Sequence, residues 1–214
     1  MFNQINLKMR NLILLAIATV AVVSCTNETI EPKPNYIPMK VGNYWIYENY
    51  QINEDGSEIN LQKIDSVIIS RDTIINGNKF FMFEGTSYPD HHRWQILQIV
   101  RDSSGYLLRS DGRVIFSDNN FTDILHLGYY IVGNDTISSY TYKMVKQLEP
   151  LTLGIGTFNV LNCMLIVNSE NYPGYPKEFP YFYAANIGRV LLTWGFSTSP
   201  TKYEQRLIRY NIID

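Results

Sequence analysis

Thr73-Ile74-Ile75-Asn76-Gly77-Asn78-Lys79-Phe80-Phe81-Met82-Phe83 is the stretch that decides the fold class. β-Branched residues on one side of it and aromatic residues on the other suit a pleated, half-buried surface. Between them stands Asn76-Gly77-Asn78. Asn and Gly accept the positive φ that a tight hairpin turn demands. The stretch therefore reads as two antiparallel strands joined by a short turn.

The same pattern extends in both directions. Upstream, Leu61 to Ser70 alternates Ile64, Ser66, Ile68 and Ser70 against Lys63, Asp65, Val67 and Ile69. Asp55-Gly56 turns that strand back towards the aromatic run at 41–50. Downstream, Arg93 to Val100, Tyr106 to Arg109 and Arg113 to Phe116 are separated by Ser104-Gly105 and Asp111-Gly112, which makes a meander. Residues 118–134 read as a long connection with one short element. Ser139 to Leu148, Phe158 to Asn168, Tyr181 to Ala184, Arg189 to Thr193 and Lys202 to Ile213 complete the set, with Asn186-Ile187-Gly188 as a turn. No segment holds the i, i+3, i+4, i+7 apolar spacing of a helix over three turns. The expectation is an all-β protein, with a single curved antiparallel sheet of roughly eight to eleven strands and little helix, either a half-barrel or a sandwich-like meander.

The N-terminus reads differently. Lys8 and Arg10 precede an unbroken apolar stretch from Leu12 to Val23, which ends in Val22-Val23-Ser24-Cys25. As a helix that stretch would be about 18 Å long, short of the roughly 30 Å hydrocarbon core of a bilayer. Its length suits the apolar region of a signal peptide. Val22 to Cys25 resembles the lipobox of bacterial lipoproteins: an aliphatic residue, a tolerant position, a small residue and the cysteine that receives lipid. The resemblance implies that residues 1–24 are a signal peptide. It also implies that Cys25 carries a diacylglyceryl group, usually with a further acyl chain. Thr26 follows where an inner-membrane retention signal would place Asp, so the outer membrane is expected. The resemblance does not choose between its periplasmic and cell-surface faces. Residues 25–40, with Pro32, Pro34 and Pro38, read as an extended tether, because proline resists both helix and central strand. Residues 41–214 then form one β domain.

Composition narrows the function classes. Without residues 1–24 the chain has 190 residues, about one domain's worth. Removing Lys8 and Arg10 and no acid takes the net charge from −2 to −4. No basic field for nucleic acid is present. Of the two cysteines, Cys25 is assigned to lipid. Cys163, within Val160 to Val167, is then left without an intramolecular disulfide partner and reads as a small buried hydrophobe.

A second resemblance covers most of the mature chain. Val41-Gly42-Asn43-Tyr44-Trp45, Gly156-Thr157-Phe158, Tyr183-Ala184 with Ile187-Gly188 and Val190, and Leu207 with Tyr210 occur in that order. The pattern resembles uncharacterised Bacteroidota-type lipoproteins, which look like curved antiparallel sheets. It implies a fold and an address but no activity. Where those families read Gly-Val-Gly, this chain has Asn186-Ile187-Gly188.

The candidate sites are few. Asp90-His91-His92 holds two imidazoles and a carboxylate, but neighbours on an extended chain point in opposite directions and no third ligand is evident. It reads as a solvated loop, and no metal or other cofactor is expected. No nucleophile or phosphate-loop motif occurs, so no catalytic residue is assigned. The best ligand-binding candidates are Tyr172, Tyr175, Phe179 and Tyr181 in a Pro-aromatic loop, with a sheet-edge cover as the plainer reading. Asp65-Ser66-Val67, Asp72-Thr73-Ile74 and Asp135-Thr136-Ile137 resemble a short Bacteroidota O-glycosylation acceptor. The expected function is a membrane-anchored, non-enzymatic binding or envelope-assembly module whose partner is a glycan, a lipid or an envelope protein. The alternatives are a glycan-active hydrolase with an acid pair distant in sequence, and a half-barrel carrier of an apolar ligand.

Overall fold

The computed structural model describes residues 33–213, apart from Tyr88, 90–92, 170–173, Tyr175, 197–198 and the side chains of 146–149. Cys25, the signal segment, Asp90-His91-His92, Tyr172 and Tyr175 lie outside the described residues.

The fold is all-β, and the described residues contain no helix. Twelve strands form one antiparallel sheet: β1 (Tyr44–Ile52), β2 (Glu58–Ile75), β3 (Asn78–Gly85), β4 (Gln95–Ser103), β5 (Tyr106–Arg109), β6 (Val114–Ser117), β7 (Ile124–Val132), β8 (Asp135–Leu153), β9 (Gly156–Asn168), β10 (Lys177–Ala184), β11 (Gly188–Gly195) and β12 (Lys202–Asn211). Their order is β6-β5-β4-β3-β2-β1-β12-β11-β10-β9-β8-β7. Every pair is a sequential hairpin except β1–β12, which joins the two ends of the domain. The sheet curves into an almost closed barrel whose one break lies between β6 and β7.

The opening hairpin forms as its sequence dictates. Ile75 pairs with Asn78, and Asn76 and Gly77 between them take φ of 51° and 76°. That twist matches the right-handed twist of the flanking strands. Residues 61–75 form one strand rather than two, with a bulge at Ser70 absorbing the change of register. Ile124 to Val132, expected within a connection, is a nine-residue edge strand. Its Leu127, Tyr129, Ile131 and Val132 are exposed, so no alternation of buried and exposed positions marks it in the sequence.

The break has a local cause. Ser117 Oγ accepts the amides of Asn119 and Asn120, and Asn120 Oδ1 accepts those of Thr122 and Asp123. These side chains satisfy the backbone of the connection between β6 and β7 and turn the chain away. β6 packs on β7, β8 and β9 instead. The Cys163 thiol donates to the Ile115 carbonyl at 3.2 Å, the Ser117 amide donates to Met144 Sδ at 3.5 Å, and Arg113 donates to the Tyr140 hydroxyl at 3.2 Å. Phe116 fills the seam against Tyr183, with ring centroids 4.1 Å apart. One core cluster surrounds Phe116, Met144 and Cys163, and a second surrounds Trp45, Ile69, Val190 and Leu207.

Residues 35–39, read from sequence as part of the tether, are docked on the domain. Ile37 and Pro38 are buried. The Asn35 amide donates to Asn186 Oδ1 at 3.1 Å, and the Asn186 amide donates to the Asn35 carbonyl at 2.6 Å. Asn43 Nδ2 donates to the Pro38 carbonyl, while Asn43 Oδ1 accepts the Ile213 amide. One carboxamide thus ties this strap to the C-terminal end of the chain.

Candidate functional site

The motifs that looked like packing signals converge at one end of the barrel, under the strap. Trp45 Nε1–H donates to the Ile187 carbonyl at 2.7 Å, and the Tyr47 hydroxyl donates to the Arg189 carbonyl at 2.9 Å. Trp45 lies opposite Tyr210 on β12, and Leu207 lies opposite Tyr47. Gly188 sits between Pro38 and the Trp45 ring at φ +94°, where a Cβ would press on Pro38 at 3.3 Å. The glycine is needed both for its backbone conformation and for the close approach.

Trp45, Tyr47, Pro38 and Gly188 line a partly open cavity of ≈ 70 Å³. Tyr36 and Ile37 of the strap, Trp45 and Tyr47 of β1, Phe83 of β3 and Leu97 of β4 form much of its wall. Trp45 and Phe83 stack at 5.7 Å. Arg189 also lines it. The lining contains no Asp, Glu, His, Ser or Cys.

Arg189 is the unusual member. Between Phe182 and Tyr183 the β10–β11 register shifts, and Val190 is the extra residue, so Arg189 faces inward across from Tyr183. Its guanidinium carbon lies 5.4 Å from the centre of the Tyr47 ring. Its Nε–H is enclosed and has no acceptor. No carboxylate among the described residues forms an ion pair with it. Burial raises the pKa values of the surrounding Tyr47, Tyr181 and Tyr183, so these phenols stay neutral.

A second buried charge lies elsewhere. Asp65 is 0 % exposed, and its Oδ2 accepts Asn49 Nδ2 at 2.8 Å and Gln205 Nε2 at 2.6 Å. It stitches β1, β2 and β12 together and takes no part in the cavity wall.

The sequence-read candidates are placed as follows. Phe179 and Tyr181 belong to β10; Phe179 is 4 % exposed, and Tyr181 packs edge-on against Tyr142 at 6.1 Å. They are wall residues of the barrel, and the loop that was to present them ends earlier, at the start of β10. Beside that loop lies an opening of ≈ 320 Å³ lined by Pro176, Lys177, Pro200 and Lys202 among others, as much polar as apolar. Lys177 donates there to the Phe196 and Ser199 carbonyls. Cys163 is 0 % exposed, and burial pushes its thiol up to about 12. Of the three acceptor-like sites, Thr136 at the β7–β8 hairpin is exposed, while Ser66 and Thr73 are half-buried. The sequence reading gave Arg189 no role. A lone cation entering an apolar strand next to the turn motif was its only signal.

No family model matches the chain, and no curated protein matches it. Two solved structures are similar to it. A Bacteroides fragilis protein described as exported, with a YmcC-like fold, shares 14% identity at a TM-score of 0.48, covering 83% of this chain and 99% of that one. A Parabacteroides distasonis protein described as a lipoprotein shares 10% identity at a TM-score of 0.38, covering 85% of this chain and 100% of that one.

Proposed function

We propose that the chain is an envelope lipoprotein, held in the outer membrane by acyl chains on Cys25, and that its barrel works as a non-enzymatic binding module. The observation that carries the binding role is the cavity under the strap, where the half-buried Arg189, its Nε–H enclosed and without an acceptor, lies among aromatic walls with no carboxylate or imidazole beside it. General acid–base chemistry needs such groups within hydrogen-bond reach of the substrate. The one buried carboxylate among the described residues, Asp65, is held by two carboxamides away from the cavity. The same observation weighs against an acyl-chain carrier. Ligand pockets of drug-sized molecules run to roughly 300–1,000 Å³, and this cavity is far smaller.

The anchor is tested by metabolic acyl labelling. The wild-type chain should take up label and float with outer membranes, and Cys25→Ala should do neither. Label retained by the mutant would remove the anchor from the proposal. The binding role is tested by incubating the purified chain with chromogenic glycosides and esters. Turnover that Asp65→Asn abolishes would restore the hydrolase reading.

A further inference from the structure

We infer that the cavity under the strap is a binding site for a small organic anion, whose charge rests on the Arg189 guanidinium and whose short apolar part lies against Trp45, Phe83 and Leu97. This deepens the binding-module reading above and rests on it.

A guanidinium taken out of water is costly unless paired, and buried charges in proteins are almost always matched by an opposite charge or a full set of acceptors. Arg189 has neither. The π-face of Tyr47 compensates it in part. Its enclosed Nε–H meets no acceptor. Asp65, the one buried carboxylate among the described residues, is engaged on the β1–β2–β12 side of the wall and does not reach the cavity lining. The fold therefore keeps two opposite charges apart: it supplies donors to Asp65 Oδ2 and leaves the acceptor set of Arg189 incomplete.

The planar fork of an arginine matches the two oxygens of a carboxylate or a phosphate monoester. Apart from Gln98 the remaining wall is aromatic and aliphatic, which suits a short hydrocarbon group. Size bounds that group. A cavity of about 150 Å³ takes up a benzene ring, so ≈ 70 Å³ holds only a few heavy atoms beside Arg189, and because the cavity is partly open the rest of a longer occupant would lie in its mouth. The strap residues Tyr36 and Ile37 form part of the same wall, so an occupant would touch the segment that leads towards Cys25.

The test is isothermal titration calorimetry on the full chain purified in detergent, with butyrate, butyl phosphate and butan-1-ol as probes. At least one of the two anions should saturate at one per chain, and which one does so identifies the headgroup; butan-1-ol should not bind measurably. Arg189→Met, which keeps the length and apolar stem of the side chain, should remain folded and weaken anion binding about tenfold or more. Leu97→Trp, which fills the cavity and leaves Arg189 in place, should abolish binding and provides the readout if the first variant does not fold. Equal binding of butan-1-ol, no binding of either anion, or undiminished anion binding in either variant would overturn the inference. Calorimetry is independent of acyl labelling, so failure of the anion site and failure of the anchor are read separately.

Discussion

The indole of Trp45 donates to the carbonyl of Ile187 at 2.7 Å across 142 residues of sequence. That bond joins the first strand of the domain to the turn between β10 and β11, and it fixes the floor of the cavity. Trp45→Phe should keep an aromatic ring against Phe83 but lose the donor and part of the buried indole's bulk. A part-buried carbonyl left without its partner costs about 1–2 kcal/mol. The expected result is a lower urea midpoint with an unchanged m-value. An unchanged midpoint would show that the bond is incidental and that Gly188 and Pro38 alone set the geometry.

Asp65 makes a sharper prediction, because a carboxylate and two carboxamides share one dry site. Asp65→Ala leaves Asn49 and Gln205 donors buried without their acceptor and should cost about 3 kcal/mol. Asp65→Asn keeps the shape and one acceptor oxygen, so it should cost less. Equilibrium unfolding of the two variants measures the difference. If both variants lose equal stability, the charge rather than the hydrogen-bond geometry holds the β12–β1–β2 wall.

What was legible in the chain follows from distance along it. The Asn76-Gly77 hairpin, the Ser104-Gly105 and Asp111-Gly112 turns and the Asn186 to Gly188 turn are local. Their positive-φ residues announced them, and all four take positive φ in the structure. The curved single sheet followed from joining such hairpins. The β1–β12 pairing was not legible, because it depends on residues such as Tyr47 and Leu207 meeting after the whole domain has folded. β7 was missed because an edge strand with apolar residues on both sides has no period of two. The continuity of β2 was missed because Arg71 and Asp72 look like a link, yet both pair with β3 in an exposed stretch of strand. The site was the least legible feature. Arg189 turns inward only because the chain bulges at Val190, and no sequence rule marks that bulge. The strap was misread for a related reason: prolines signal an extended chain but not whether it lies on a surface.

The last prediction concerns alkaline pH and rests on how many ionisable groups the barrel buries in their neutral forms. Burial raises the thiol of Cys163 from 9.0 to about 12, and burial followed by the charge of neighbouring Cys163 raises Tyr142 from 10.0 to about 12. Tyr47, Tyr181 and Tyr183 shift in the same direction, each chiefly through burial. In the unfolded chain the thiol loses its proton near 9 and the phenols near 10. Between those values and about 12 the unfolded state binds fewer protons than the folded one, so stability falls as pH rises. The contribution is complete below pH 9 and is lost through the window from 9 to 12. Each group adds a slope of at most about 1.4 kcal/mol per pH unit. The urea midpoint should therefore be flat from pH 7 to about 8.5 and drop steeply above it, with tyrosinate absorbance appearing in a slow phase that coincides with unfolding. At pH 8 a maleimide should leave Cys163 untouched in the native protein and label it at once in urea. Rapid labelling of the native chain would mean that β6 lifts from β8 and β9 without global unfolding, and the seam, rather than the whole barrel, would then set the alkaline limit.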